Sequence, residues 1–139
     1  MSSRWYESTF VILVSLCIRD IKKKLEVLQN MVASRAEEGD PIDFTTTNDW
    51  NFVELDVSQY DEVTIMVKNV GDTNSADIEV YSKANSAGQI EYKEYSATLA
   101  PGNVAKILLN GRYAKVILRA KSTLADNPTT LRVEWIGGK

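Results

Sequence analysis

Two hydrophobic periodicities divide this chain. From Val11 to Val32, apolar residues recur at alternating spacings of three and four: Val11, Val14, Ile18, Ile21, Leu25, Leu28 and Val32. Three heptads of this kind predict an α-helix with an a/d seam, about the shortest run that reads as a coiled coil. From Trp50 onward the period falls to two. Val53, Leu55 and Val57 alternate with Glu54 and Asp56, and Val63, Ile65 and Val67 alternate with Thr64, Met66 and Lys68. Ile78 and Val80, then Val116, Leu118 and Ala120, then Leu131, Val133 and Trp135 continue the pattern. One buried and one wet face per strand predicts antiparallel sheets. Gln89–Leu99 changes phase between Tyr92 and Tyr95, which predicts a bulge or bend near Lys93–Glu94.

The helix itself has two halves. With Val11 at position a, Ile18, Leu25 and Val32 follow at a, while Val14, Ile21 and Leu28 take d. Its second half has a polar back. Its first half is apolar nearly all round, because Ile12, Leu13 and Leu16 lie off the seam, and a helix apolar on every side needs cover on every side. The seam is therefore expected to bring copies of the chain together, with a trimer slightly favoured by the mixture of Ile, Val and Leu at a and d. The alternative is that the helix packs on its own β-domain. Trp5, Phe10, Ile12, Leu13 and Leu16 are the residues expected to dock on a different partner. A membrane span is not expected: the nine-residue run Phe10–Ile18 rises only about 14 Å as a helix, against a hydrocarbon core of about 30 Å.

Turn residues punctuate the remainder. Gly39 and Pro41 are expected to stop the helix, which places the domain boundary at residues 1–39 and 40–139. Pro41–Thr47 is expected as an edge strand or an extended linker. Ala100-Pro101-Gly102-Asn103 suits a type II turn. Asn110-Gly111 between two apolar runs predicts a tight two-residue hairpin. Seven or eight strands with turns every eight to twelve residues predict a β-sandwich or jelly roll, preceded by one long N-terminal α-helix.

Composition narrows the chemistry. The chain of 139 residues contains no histidine and one cysteine, Cys17. The commonest general base and metal ligand is missing, an intramolecular disulfide is impossible, and the usual zinc and iron–sulfur sites are excluded. No catalytic residue, metal or cofactor is expected. The acidic pairs Asp61/Glu62, Glu91/Glu94 and Glu54/Asp56 sit where solvated acids are common, and the acidic loops 40–43 and 72–77 match no calcium-loop spacing. A net charge of −3, with neither half strongly basic, argues against nucleic acid. Exposed aromatic residues are the platforms by which β-sandwiches hold sugars. Tyr81, Tyr92 and Tyr113 are the candidate glycan contacts, with Tyr95 and, at a strand entry, Trp50 also in view; Trp135 and Tyr60 read as packing residues.

The order Leu55–Tyr60 (LDVSQY), Val63–Asn69 (VTIMVKN), Ile78–Tyr81 (IEVY), Leu99–Gly102 (LAPG) and Gly111–Ala120 (GRYAKVILRA) resembles small β-sandwich structural proteins of tailed-phage and related virions, of the decoration, fibre or baseplate type. Related layouts occur in carbohydrate-binding modules. The resemblance spans about residues 50–136 and implies a non-enzymatic virion protein. Its helix would anchor or oligomerise it, and its β-domain would decorate or clamp neighbouring subunits. Its partners would then be itself and other virion proteins. The alternative is a glycan-binding or adhesive module at a cell surface, held to a membrane or filament by its helix.

Overall fold

The computed structural model describes residues 12–26 and 36–139. The chain divides into a unit ending at residue 35 and a second unit from residue 36 to the end. In the first, residues 12–26 form helix α1, uninterrupted by proline or glycine, as the heptad spacing predicts. Val11, Leu28 and Val32 of the seam, and Trp5 and Phe10, lie outside the described residues.

The second unit contains nine strands: β1 (Glu37–Glu38), β2 (Ile42–Thr45), β3 (Asn51–Asp56), β4 (Glu62–Asn69), β5 (Ala76–Lys83), β6 (Tyr92–Leu99), β7 (Val104–Asn110), β8 (Lys115–Ser122) and β9 (Thr130–Gly138). All pairings are antiparallel. One sheet runs β1-β9-β4-β7, with β2 also on β9, and the other runs β3-β8-β5-β6. The pairs are nested: β2 with β9, β3 with β8, β4 with β7, β5 with β6. The chain is thus one long hairpin with β5–β6 at its tip, wrapped so that successive pairs fall in opposite sheets. That winding is a jelly roll, and β1 prolongs the edge that β2 begins.

Alternation places the core between the sheets. Val63, Ile65, Val67, Ile107, Leu109, Leu131 and Val133 on one sheet are buried against Leu55, Ile78, Val80, Val116, Leu118 and Ala120 on the other. Tyr60 closes one corner, as its position before a strand suggested. Its ring meets Trp135 edge-on at 5.8 Å, and its hydroxyl donates to the Glu37 carboxylate at 2.7 Å. The phase change in β6 is a bulge: Val80 pairs with Tyr95 and Tyr81 with Lys93, which leaves Glu94 as the extra residue. The Ala100–Asn103 turn closes with Asn103 N–H donating to Ala100 C=O at 3.0 Å, and Gly102 takes the positive φ of 81° that a type II turn demands at its third position.

Three expectations need correction. There are nine strands rather than seven or eight, because β1 consists of two glutamates and carries no hydrophobic signal. Gly39, the proposed helix stop, instead lies in the β-unit: its N–H donates to Trp135 C=O at 3.0 Å, and it has no room for a Cβ against the Trp135 ring. The Asn110-Gly111 pair does not make a hairpin. Its flanking strands β7 and β8 belong to different sheets, and Gly111 N–H donates to Asp61 C=O at 2.8 Å as the chain crosses between them.

Candidate ligand-binding face

The outer face of the β3-β8-β5-β6 sheet brings exposed aromatic residues beside paired charged side chains. Edge strand β3 and the residue before it place Trp50, Phe52 and Glu54 on this face, opposite in phase to the core residues Val53 and Leu55. Pairing then sets whole rows. Phe52 on β3 lies opposite Arg119 on β8, Arg119 opposite Glu79 on β5, and Glu79 opposite Ser96 on β6. The next row runs Glu54, Ile117, Tyr81, Lys93. Ile117 is buried although it is on the outward phase.

Polar side chains on this face are fixed by one another. Arg119 forms an ion pair with Glu91 at 2.7 Å, and its guanidinium stands 4.6 Å from the Tyr81 ring centre. Lys93 reaches Glu79 at 3.0 Å and also lies over Tyr81 at 5.7 Å. The Tyr81 hydroxyl donates to the Glu79 carboxylate. That bond, and after it the Lys93 ammonium, hold the Glu79 carboxyl below the ordinary carboxylate range against the upward push of its burial. The same pair raises Lys93. Glu79 is therefore an anion and an acceptor at neutral pH, the opposite of the raised carboxyl that a glycosidase uses as its acid. Lys121 lies 5.0 Å over the Trp50 ring, and Asp77 accepts from the hydroxyls of Thr98 (2.8 Å) and Thr123 (2.9 Å).

Two clefts lie on this face. One, of about 380 Å³, is lined by Trp50, Phe52, Glu79, Tyr81 and Arg119. The other, of about 290 Å³, shares Trp50 and Glu79 and continues over Asp77, Ser96, Thr98 and Lys121. Sharing Trp50 and Glu79, the two clefts adjoin as a shallow groove whose lining residues come from all four strands.

The three tyrosines singled out from sequence do not converge. Tyr81 is in the groove. Tyr92 and Tyr113 instead line a separate cleft of about 530 Å³ with Ile90, Asn85 and Glu94. There Tyr92 is exposed, whereas Tyr113 packs on the core and its hydroxyl donates to Asn110 C=O at 3.3 Å. Sequence reasoning missed Phe52, Glu79 and Arg119. The legible signal was Trp50-Asn51-Phe52: two aromatic residues on the phase that Glu54 and Asp56 mark as wet.

The remaining candidates are placed as follows. Val14, Ile18, Ile21 and Leu25 of the seam and Ile12, Leu13 and Leu16 off it are all exposed on α1. Among the described residues no helix is long and apolar enough to cross a membrane, and no three metal-ligating side chains cluster. Of the acidic pairs, Asp61 binds Arg112 (2.8 Å), Glu54 binds Lys115 (3.1 Å), Glu91 binds Arg119, and Glu94 accepts from the Ser82 hydroxyl (2.8 Å).

No family model and no curated protein matches the chain. Solved structures share its fold. The Yersinia pseudotuberculosis-derived mitogen is similar over 74% of this chain and 86% of its own, with a TM-score of 0.52 and 6% identity. PirA is similar over 71% of this chain and 96% of its own, with a TM-score of 0.50 and 11% identity. Bacillus endospore appendages, which are disulfide-linked pili, align over 75% of this chain and 88% of their own at 0.49 and 16% identity. Identities this low speak of the fold alone. This chain is an antiparallel β-sandwich of jelly-roll winding preceded by a helix.

Proposed function

We propose that this protein is a non-enzymatic structural subunit: α1 gathers copies of the chain, and the jelly roll is displayed as an adhesive or binding module on the outside of the assembly. One observation supports this above the rest. Taken by itself, helix α1 carries large apolar side chains, Ile18, Ile21 and Leu25 among them, on its surface. These are the residues that the heptad pattern sets on one seam. Burying each would gain roughly 1.5–3 kcal/mol before ordering costs, enough in sum to hold a small oligomer. A second chain brings the same seam in register, so the occupant that fits best is another copy.

The setting we favour is a virion, with the jelly roll decorating or clamping neighbouring subunits; a cell-surface array is the alternative. Either needs a presented head and an assembling stalk. Sedimentation velocity at micromolar concentration tests the assembly. The intact chain should run as an oligomer and the Ile18→Asp, Leu25→Asp double variant as a monomer. An intact chain that runs as a strict monomer overturns the reading.

A further inference from the structure

We infer that the groove on the outer face of the β3-β8-β5-β6 sheet binds a neutral oligosaccharide, with Phe52 as the open stacking platform, Trp50 as the aromatic wall beside it, and Glu79 and Arg119 as the acceptor–donor pair for ring hydroxyls. Four observations converge. Phe52 on edge strand β3 is 64% exposed, and Trp50, just before the strand and on the same phase, is 39% exposed. A contiguous aromatic patch left in water, rimmed by polar groups, marks an interaction site. The cation stacks then say which chemistry the rings accept. Lys121 over Trp50 and Arg119 over Tyr81 use the negative face of each ring. The weakly positive C–H face of a pyranose is attracted to the same ring surface that Phe52 presents with no such stack.

Charge selects among sugars. Glu79 is paired with Lys93, and Arg119 with Glu91. A phosphorylated, sulfated or uronate ligand would have to compete with these carboxylates for Lys93 and Arg119, and would find only Lys121, already stacked on Trp50, outside an ion pair among the described groove cations. Hydroxyl groups need not, because each can donate to a Glu79 oxygen and accept from a free guanidinium N–H while the ion pairs stand. Extent selects length. The two clefts share Trp50 and Glu79 and cross four strands. At about 4.8 Å per strand spacing, that is roughly 14 Å, a track for several sugar units rather than one.

The groove is built wholly within the β-unit, so this inference stands apart from self-assembly through α1. The test uses the full-length protein on an array of neutral and anionic glycans, followed by calorimetric titration of the best neutral hit as a soluble hexasaccharide. The expected result is saturable binding to a neutral glycan, weakened at least tenfold by Phe52→Ala and by Trp50→Ala and unchanged by Tyr92→Ala, which lies in the other cleft. Phe52 contributes little to the core, so circular dichroism should show Phe52→Ala folded as the parent. No neutral hit, binding to anionic glycans alone, or binding undiminished in folded Phe52→Ala would overturn the inference. A chain that binds sugar but sediments as a monomer would uphold the groove and reject the assembly.

Discussion

Asn69 is fully buried at the end of β4, and its side chain joins three connections. Its amide nitrogen donates to the carbonyls of Asn74 (2.9 Å) and Leu99 (3.0 Å), while its oxygen accepts from Gly71 N–H (3.0 Å) and the Thr129 hydroxyl (2.7 Å). Replacing it by alanine orphans several polar groups where water has little access. Asn69→Ala is expected to cost ~2–4 kcal/mol, read as a lowered denaturant midpoint at unchanged slope. Ionisable pairs set a second, gentler dependence. Glu37 is held low by the Tyr60 hydroxyl and then Lys139, Asp43 by Arg132, and Glu79 by Tyr81 and then Lys93. Each carboxyl is more acidic folded than unfolded, so the unfolded chain takes up protons first as pH falls. Their stabilisation is complete above the ordinary carboxylate range and is lost through that range and below it. Thermal midpoints should hold level from neutrality to the top of that range and then decline, less steeply in Asp43→Asn. A midpoint that rises on acidification would contradict the pairing. Because Glu37 and Asp43 are solvated, added salt should shrink the effect.

Strands were legible from sequence wherever one face is apolar and the other polar. Val63, Ile65 and Val67 against Glu62, Thr64 and Lys68 is such a case, and the phase slip in β6 located its bulge because a side-chain period of two tolerates no extra residue silently. Partnership was not legible. Asn110-Gly111 has the chemistry of a tight turn, yet only β5 and β6 are consecutive strands that pair among the described residues. A turn signal is local, while jelly-roll pairing joins Phe44 to Leu131. The groove failed for the same reason: Trp50 was in view at a strand entry, but Phe52 was passed over, and Glu79 and Arg119 join them only through β5 and β8. In α1, the division between seam and off-seam residues makes its own prediction. Leu13→Ser with Leu16→Ser removes exposed apolar surface without touching the seam. The oligomer's mass should persist while its binding of a hydrophobic dye falls. Loss of both together would show that the helix has one apolar surface and not two.

At the scale of the molecule, the proposed assembly would leave stability to the β-unit and self-association to α1. Among the described residues, the buried hydrophobic residues of the core lie between Leu55 and Val133, and the strands that close the roll begin at Glu37. The β-unit thus supplies a core of its own, and about a hundred residues suffice for a domain that folds alone. Its pairings are dominated by partners distant in sequence, β2 with β9 and β3 with β8, so it should fold slowly but in one cooperative transition. A fragment of residues 36–139 should then show the far-ultraviolet spectrum of a β-protein and a thermal midpoint within a few degrees of the intact chain's β-transition. It should also be monomeric where the intact chain is oligomeric, and keep the sugar affinity measured per site. Binding to a surface that presents many glycans should nonetheless fall steeply, because linked heads gain effective concentration that single heads lack. A fragment that fails to fold would show that α1 belongs to the core. One that folds yet still oligomerises would move the assembly contact from the seam to the jelly roll itself, where the edges of β3 and β7 offer unpaired backbone.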